Sequence, residues 1–247
     1  MTQIALITGA NKGIGYATAR ALGELGMTVL LGARDEGRGV AATRELAGLS
    51  ARYVALDVTD AASVTAAADW VAAEFGRLDV LVNNAGIVRA DGAGLPSATT
   101  LPTMREVFET NVYGVVTVTN AFLPLLRLAP AARIVNVSSE VGSISSMTDP
   151  ASPLFALTSV PYPASKAALN MITAMYAKEL RDTPIKVNAA NPGYTATDFN
   201  SHHGFRTPAQ AARVCAHLAT LPADGPSGLL WGHLITLDGD QNGVLAW

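Results

Sequence analysis

The sequence of 247 residues is 49% hydrophobic and 15% charged, which is enough for one large core and short for two, so we expect a single domain over residues 1–247. Its net charge of -3 excludes a broad basic surface for nucleic acid. No apolar run reaches the length of a membrane span and no signal peptide is recognisable, so we expect no membrane association and a cytoplasmic protein. The one cysteine, Cys215, excludes an intrachain disulfide, and its Ala-rich surroundings predict a buried, inert thiol.

The first pattern is a strand, a glycine-rich turn and a helix. Residues 3–8 form a short apolar run that predicts a buried parallel strand, and an Ala/Leu-rich helix runs to about Leu25. Glycine lets the backbone approach a pyrophosphate, and the helix N-terminus adds N–H donors and positive potential. The turn therefore predicts a dinucleotide site, with a plain tight turn as the alternative, although its Gly-x-x-x-Gly-x-Gly spacing differs from the common Gly-x-Gly-x-x-Gly.

The end of the second predicted strand, residues 28–33, bears on the choice of cofactor. In a dinucleotide-binding fold this strand end meets the adenosine ribose. Arg34 offers a planar fork suited to phosphate, and Lys12 lies in the glycine-rich turn nearby, so NADP(H) is predicted over NAD(H). Asp35 is an acid close to this position and keeps NAD(H) as an alternative, and Arg34 could also be a solvated loop charge.

Strands and helices alternate along the rest of the chain. Further strands are predicted at residues 53–56, 78–82, 133–137, 185–189 and about 229–237, and further helices at about 36–48, 61–75, 103–128, 162–181 and 208–219. This alternation demands a parallel sheet with right-handed crossovers. The predicted fold class is therefore α/β, a single-domain Rossmann fold with a doubly wound sheet of about seven strands and helices on both faces.

Two polar features lie between these elements. Asn111 falls inside a predicted helix, where an amide is usually exposed or marks a bend. Ser138 and Ser139 follow the fifth strand directly. The loop after them, residues 140–160, is long for a compact domain, which is typical of a functional or mobile segment.

Tyr162 and Lys166 stand four positions apart, so a helix places them on one face, one turn from each other. A phenol with an ordinary pKa of ~10 is a poor acid or base near neutrality. A neighbouring ammonium favours the phenolate and lowers that pKa, which suits the phenol to general acid/base catalysis. Because the same spacing is common in surface pairs, the prediction depends on the motifs that precede it.

Together these motifs resemble the short-chain dehydrogenase/reductase family, in its single-domain branch, over roughly residues 3–240. The motifs that carry the resemblance, in chain order, are Thr8-Gly9-x-x-x-Gly13-x-Gly15, Asp57-Val58, Asn83-Asn84-Ala85-Gly86, Asn111, Ser138-Ser139, Tyr162-x-x-x-Lys166 and Pro192-Gly193. Asn11-Lys12, Ala33-Arg34-Asp35 and the short segment after Thr197 look more like carbonyl-reductase-type members.

The resemblance implies roles for named residues. The implied catalytic residues are Asn111, Ser139, Tyr162 and Lys166. Asn111 would bend its helix and help hold a proton-relaying water, and Ser139 would hold the substrate oxygen. Tyr162 would be the general acid, and Lys166 would bind the nicotinamide ribose and lower the pKa of Tyr162. The implied cofactor contacts are Gly9, Asn11, Lys12, Gly13, Ile14, Gly15, Arg34, Asp57, Val58, Asn84, Ala85, Gly86, Tyr162, Lys166, Pro192, Gly193, Thr195 and Thr197. No metal site is expected, because the adjacent His202 and His203 have no third ligand nearby. Asp238 and Asp240 lie in a turn and are assigned no chemistry.

The expected function is NADPH-dependent reduction of a small-molecule ketone, aldehyde or quinone to its alcohol. The substrate pocket is expected between the loops 87–101, 140–160 and 194–206, whose scattered apolar residues favour a hydrophobic substrate. One alternative is a non-catalytic NADP-binding sensor or scaffold on the same fold. Another is an epimerase or dehydratase of the extended branch. That branch carries a larger C-terminal substrate region, whereas this sequence ends soon after its last predicted strand.

The spacing between the serine and the tyrosine bears on assembly. Ser139 and Tyr162 are 23 positions apart, wider than in many tetrameric members, so residues 143–160 look like an insertion. Such an insertion would cover either the active-site mouth or the helix faces used for dimer packing. A monomer or a homodimer is therefore expected rather than a tetramer.

Overall fold

A mostly parallel sheet runs through the centre of the molecule. The computed structural model describes residues 2–91, 94–235 and 241–247. In that part of the chain the sheet has eight strands in the order β3-β2-β1-β4-β5-β6-β7-β8, of which the first seven are parallel. The strands are β1 (Ile4–Thr8), β2 (Thr28–Ala33), β3 (Ala51–Ala55), β4 (Val80–Asn83), β5 (Arg133–Val137), β6 (Lys186–Asn191), β7 (Leu230–His233) and β8 (Asn242–Leu245).

Helices connect the strands and cover both faces of the sheet. They are α1 (Gly13–Glu24), α2 (Glu36–Glu45), α3 (Ala61–Phe75), α4 (Leu101–Phe108), α5 (Gly114–Leu126), α6 (Ile144–Thr148), α7 (Pro161–Glu179) and α8 (Pro208–Ala219). Because successive strand residues point to opposite faces, Leu6 packs in one core with Phe122 of α5, while Ile7 packs in the other with Leu22 of α1 and Val214 of α8. The predicted α/β fold class is confirmed.

The structure corrects the prediction at the end of the chain. The predicted last strand, about 229–237, is the shorter β7, and residues 236–240, with Asp238 and Asp240, lie outside the described residues. The chain then returns as β8, which pairs antiparallel with β7 through Leu230 and Leu245. The sheet therefore has eight strands in the described chain instead of about seven, because β8 adds an antiparallel strand at the edge beside β7.

A buried polar network joins the centre of the sheet to the helices. The Asn83 side-chain amide of β4 donates to Asn136 Oδ1 of β5 at 2.8 Å and to Thr119 Oγ1 of α5 at 3.1 Å. Asn136 Nδ2 in turn donates to Thr173 Oγ1 of α7 at 2.9 Å. Since these groups are shielded from water, the bonds fix how α5 and α7 sit on β4 and β5. Helix α7 is the element that carries Tyr162 and Lys166.

We expect Asn136→Ala to lower the free energy of unfolding by ~2–4 kcal/mol, because it leaves buried partners without a hydrogen bond and opens a small cavity. Urea unfolding measures the change. The control is Asn120→Ala, which removes the exposed hydrogen bond between Asn120 and Tyr176 and should cost less than about 1 kcal/mol. Equal losses in the two variants would contradict a special role for the buried network.

Candidate active site

The predicted motifs meet at one edge of the sheet. The glycine-rich turn follows β1, Asn84–Gly86 follow β4, Ser138–Ser139 follow β5 and Pro192–Gly193 follow β6. These four strands are parallel neighbours, so their carboxyl ends lie side by side. The strand order also reverses between β1 and β4, which is where open α/β sheets bind ligands.

The glycine-rich turn is locked to the segment after β4. Thr8 Oγ1 accepts from the backbone N–H groups of Asn84 and Ala85, both at 2.9 Å. Asn84 Nδ2 donates to the carbonyl of Thr8 at 2.8 Å and that of Gly9 at 3.2 Å. A Cβ at Gly15 would lie 2.4 Å from Asn84 Nδ2, so only glycine fits this contact. The predicted cofactor contact Asn84 therefore also shapes the turn.

The charged residues near the turn are more constrained than the sequence suggested. The Asp35 side chain accepts from Arg38 N at 2.8 Å, which caps α2, and it pairs with Arg38 Nη2 at 3.2 Å. These bonds lower the pKa of Asp35. Arg34 is exposed beside it, whereas Lys12 Nζ pairs with Asp198 Oδ2 at 2.8 Å. The Asp35 carboxylate therefore caps α2 and pairs with Arg38, while Lys12 contacts the loop after β6.

Asp57 and Val58 follow β3 at the same edge of the sheet. Asp57 Oδ1 accepts from the backbone N–H and the hydroxyl of Thr59, at 2.9 and 2.7 Å. Val58 is largely buried, and a Cβ at Gly114 would lie 2.9 Å from the Val58 carbonyl oxygen. The start of α5 therefore packs directly on this predicted adenine-binding segment.

Asn111 is the centre of a helix irregularity. The predicted helix 103–128 is α4 and α5 joined by a π-helical turn, Glu109–Tyr113. Asn111 is fully buried, and its side chain exchanges hydrogen bonds with the backbone of Ile87, accepting at 2.8 Å and donating at 2.9 Å. Its Nδ2 also donates to Ser165 Oγ at 3.0 Å. The predicted irregularity is present, and the amide joins the segment after Gly86 to α7.

Ser139, Tyr162 and Lys166 come together beside Asn111. The Ser139 side chain lies close to the Tyr162 phenol. Lys166 is buried, and its Nζ lies 5.5 Å from the Tyr162 ring centroid. The ammonium donates to the Val137 carbonyl at 2.7 Å. The structure therefore brings the four predicted catalytic residues into one site.

Burial dominates the titration of this site. It raises the pKa of the Tyr162 phenol, and the nearby Ser139 side chain opposes that rise. It lowers the pKa of Lys166 to about 8, because a charged ammonium is poorly solvated there. The expectation that Lys166 lowers the pKa of Tyr162 stays a prediction; in this structure the ammonium faces the phenol ring and the Val137 carbonyl.

The turn that follows Ser139 packs against α7 through Gly142, which the sequence motifs did not indicate. Residues Glu140–Gly142 form a short 3-10 turn after Ser139. A Cβ at Gly142 would lie 2.6 Å from the Lys166 carbonyl carbon and 2.9 Å from Ala167 N. A glycine three residues after the serine was the available signal, but only the packing of two distant segments shows why it is needed.

The loop after β6 covers the site. Gly193 adopts a positive φ of 76°, and Thr195 Oγ1 donates back to its carbonyl at 3.0 Å. Thr197 packs near Gly13, since a Cβ there would lie 3.4 Å from Thr197 Cγ2. Phe199 then meets the Tyr162 ring edge-on, with 5.4 Å between the centroids. This loop therefore reaches from the glycine-rich turn to the tyrosine.

The other two predicted pocket loops contact each other. Thr158 Oγ1 donates to the Gly94 carbonyl at 3.1 Å, which joins the predicted loops 140–160 and 87–101. Ser145 of α6 donates to the Trp247 carbonyl at 3.3 Å. Ile144 and Phe155 are 68% and 52% exposed. The predicted insertion is thus placed against the loop 87–101 and the chain end.

Several other expectations have a structural outcome. Cys215 is buried, and burial raises the pKa of its thiol to about 12, which confirms an inert thiol. His202 Nε2 lies 2.8 Å from Asp198 Oδ1. Within residues 2–91, 94–235 and 241–247, no three His, Cys, Asp or Glu side chains are grouped to hold a metal ion. None of the helices in the described chain is long and apolar enough to cross a membrane.

The low pKa of Lys166 gives a testable stability signature. In the folded state Lys166 loses its proton near pH 8, whereas in the unfolded chain it keeps it to about 10.4. The unfolded state then binds more protons in this window, so Lys166 makes folding more favourable as the pH rises through it. We expect the melting temperature of the wild type to rise relative to Lys166→Met between pH 7 and 9.5. The control is Lys178→Met on the exposed end of α7, and a pH-independent difference for Lys166→Met would contradict the shift.

Comparison with known proteins gives a consistent result. A model of the short chain dehydrogenase family matches residues 3–204. The short-chain dehydrogenase anuI of Penicillium roqueforti is 39% identical, over 94% of this chain and 93% of that protein. The (-)-isopiperitenone reductase of Mentha piperita is 36% identical, over 92% and 95% respectively. An NADPH-bound carbonyl reductase from chicken fatty liver matches with a TM-score of 0.85 and 30% identity, over 100% of this chain and 99% of that chain.

Proposed function

The chain belongs to the short-chain dehydrogenase family of oxidoreductases, and we propose that it uses NADPH to reduce a ketone, aldehyde or quinone to an alcohol. The observation that carries the proposal is the convergence of Asn111, Ser139, Tyr162 and Lys166 beside the carboxyl ends of β1, β4 and β5. When bound, the nicotinamide supplies the hydride. The chain supplies the geometry and the proton.

The residues at the sheet edge fit a dinucleotide. The glycine-rich turn packs closely on Asn84 and Ala85, and α1 begins there without a side-chain cap from Lys12. A helix N-terminus with free N–H groups suits a pyrophosphate. Thr197, on the loop after β6, lies next to Gly13 of the turn, and we expect Thr195 and Thr197 to contact the bound cofactor.

The preference for NADPH is argued from Arg34 and Asp35. The Asp35 carboxylate is held by Arg38 at the start of α2, which removes the group that would compete for a ribose hydroxyl. Arg34 is exposed at the end of β2 and can present its guanidinium to a 2′-phosphate. The carbonyl reductase from chicken fatty liver that resembles this chain has NADPH bound.

The polar residues divide the chemistry between them. Negative charge develops on the carbonyl oxygen as hydride arrives, and we expect the neighbouring hydroxyls of Ser139 and Tyr162 to donate hydrogen bonds to it. The Tyr162 phenol is protonated at neutral pH, and it can give its proton to the substrate oxygen because the alkoxide formed there is a stronger base than a phenolate. Lys166, with a pKa of about 8, can change its protonation in the same range, and Asn111 holds α7 beside it through Ser165.

The substrate is proposed to be hydrophobic. Phe199 packs on Tyr162, and Tyr194 and Phe205 form an aromatic pair with centroids 6.1 Å apart on the same loop. Ile144 and Phe155 expose apolar surface on the segment opposite. An apolar surface near a few directed polar groups is the usual make-up of a small-molecule site. The expected monomer or homodimer, and the expected cytoplasmic location, stay predictions.

Tyr162→Phe tests the catalytic assignment. We expect turnover to fall by at least ~100-fold because the general acid is lost, while NADPH affinity stays near that of the wild type. NADPH oxidation with a panel of ketones, aldehydes, quinones and β-ketoacyl thioesters measures the first quantity, and fluorescence titration the second. The matched control is Tyr176→Phe on the same helix, whose hydroxyl bonds Asn120. A near-normal rate for Tyr162→Phe would refute the assignment, and tight NADPH binding without any turnover would favour a sensor.

Arg34→Ala tests the cofactor assignment. We expect kcat/KM for NADPH to fall by about tenfold or more, as for the loss of a charge-assisted bond, and the value for NADH to change less than about threefold. Steady-state kinetics with both cofactors measure the ratio. Arg52→Ala, which removes an exposed pair with Glu74, is the control. Wild-type protein that used NADH as well as NADPH would contradict the proposal.

A further inference from the structure

A buried carboxylate follows Ser139 directly and is not used by the proposed chemistry. Glu140 is 8% exposed at the first position of the 3-10 turn that Ser139 begins. Burial raises the pKa of Glu140, as expected for a carboxyl group taken out of water. A group of this kind is costly to bury unless it makes a specific contact.

Glu140 makes that contact with the chain leaving β7. Its Oε2 accepts from the backbone N–H of Ile235 at 3.0 Å. Its own N–H donates to Asn191 Oδ1 at 3.1 Å, and Asn191 Nδ2 donates to the His233 carbonyl. The residue after Ser139 is therefore tied to the ends of both β6 and β7.

The other side of the same turn rests on α7. Gly142 N–H donates to the Ser139 carbonyl at 3.0 Å and closes the turn, and Gly142 lies against the Lys166 backbone. The turn is thus held between the helix that carries Tyr162 and the chain that leaves β7. Contact with α7 limits movement in one direction, and the Glu140 bond limits it in the other.

We propose that Glu140 is a positioning residue for Ser139: by holding the backbone of Ile235, it keeps the Ser139 turn at its distance from Tyr162. The inference rests on the proposed function, since it assigns to Glu140 the placement of the serine that receives the carbonyl oxygen. The property that matters is the hydrogen-bond acceptor. Glutamine, whose side-chain oxygen also accepts, should replace glutamate, whereas alanine leaves the Ile235 N–H without this partner.

The experiment compares Glu140→Ala and Glu140→Gln with a matched pair at Asp79. Asp79 is a buried carboxylate that also accepts from a backbone N–H, that of Ile4 at 2.9 Å, but at the opposite edge of the sheet. We expect Glu140→Ala to lower kcat about tenfold, in line with one lost hydrogen bond, with NADPH affinity within about threefold of wild type. Glu140→Gln should recover kcat to within about threefold, and Asp79→Ala and Asp79→Asn should lower stability but leave kcat unchanged.

Native-state hydrogen exchange provides a readout that does not depend on turnover. We expect faster exchange of the Ile235 and Gly142 amides in Glu140→Ala, and wild-type protection of both in Glu140→Gln. Three results would each overturn the proposal: unchanged exchange in Glu140→Ala, unchanged kcat in that variant, or a loss in Glu140→Gln as large as in Glu140→Ala. If the wild type reduced no carbonyl compound, the proposed function would fail by itself, and exchange at Gly142 would still decide whether Glu140 holds the turn.

Discussion

Parallel pairing of β1, β4, β5 and β6 is the constraint on which the site depends. Each of these strands runs in the same direction, so every motif at a strand end reaches the same edge of the sheet. Gly9, Asn84, Ser139 and Gly193 are far apart in the chain, yet they become neighbours through the register of the strands alone. Because each strand is buried on both faces, the register cannot slip without exposing apolar side chains.

Close packing at glycine residues then sets the distances between the segments that follow the strands. Gly15 meets the Asn84 amide, Gly142 meets the Lys166 backbone and Gly114 meets Val58, and in each case a Cβ would be under 3 Å from its neighbour. Polar bonds work alongside these contacts: Thr8 joins two loops, and Asn111 joins the π-helical turn to α7. The site is rigid where chemistry requires placement, while its aromatic cover lies on a loop.

Burial gives the site its acid–base character. Taking Tyr162 and Lys166 out of water disfavours the charged form of each, so the phenol holds its proton and the ammonium loses its own more easily. The acid–base character of Tyr162 and Lys166 therefore depends on their burial as well as on their spacing of one helical turn. The ammonium is directed at the Val137 carbonyl, and burial is the largest influence on the pKa of the phenol.

The sequence by itself determined the α/β fold class and the alternation of strands and helices, because hydrophobic periodicity and turn residues are local properties of the chain. The order of the strands in the sheet came only from the tertiary structure. It also predicted a buried Cys215, which the structure confirms. For Asn111 the residues left an exposed position or a bend open, and the structure shows a buried amide in a π-helical turn. Only the tertiary structure decided the partners: Asp35 with Arg38, Lys12 with Asp198, Lys166 with Val137 and Glu140 with Ile235. The partner of each polar side chain depends on which distant segments pack together and on how much water they exclude. Residue types and spacing indicate neither of these.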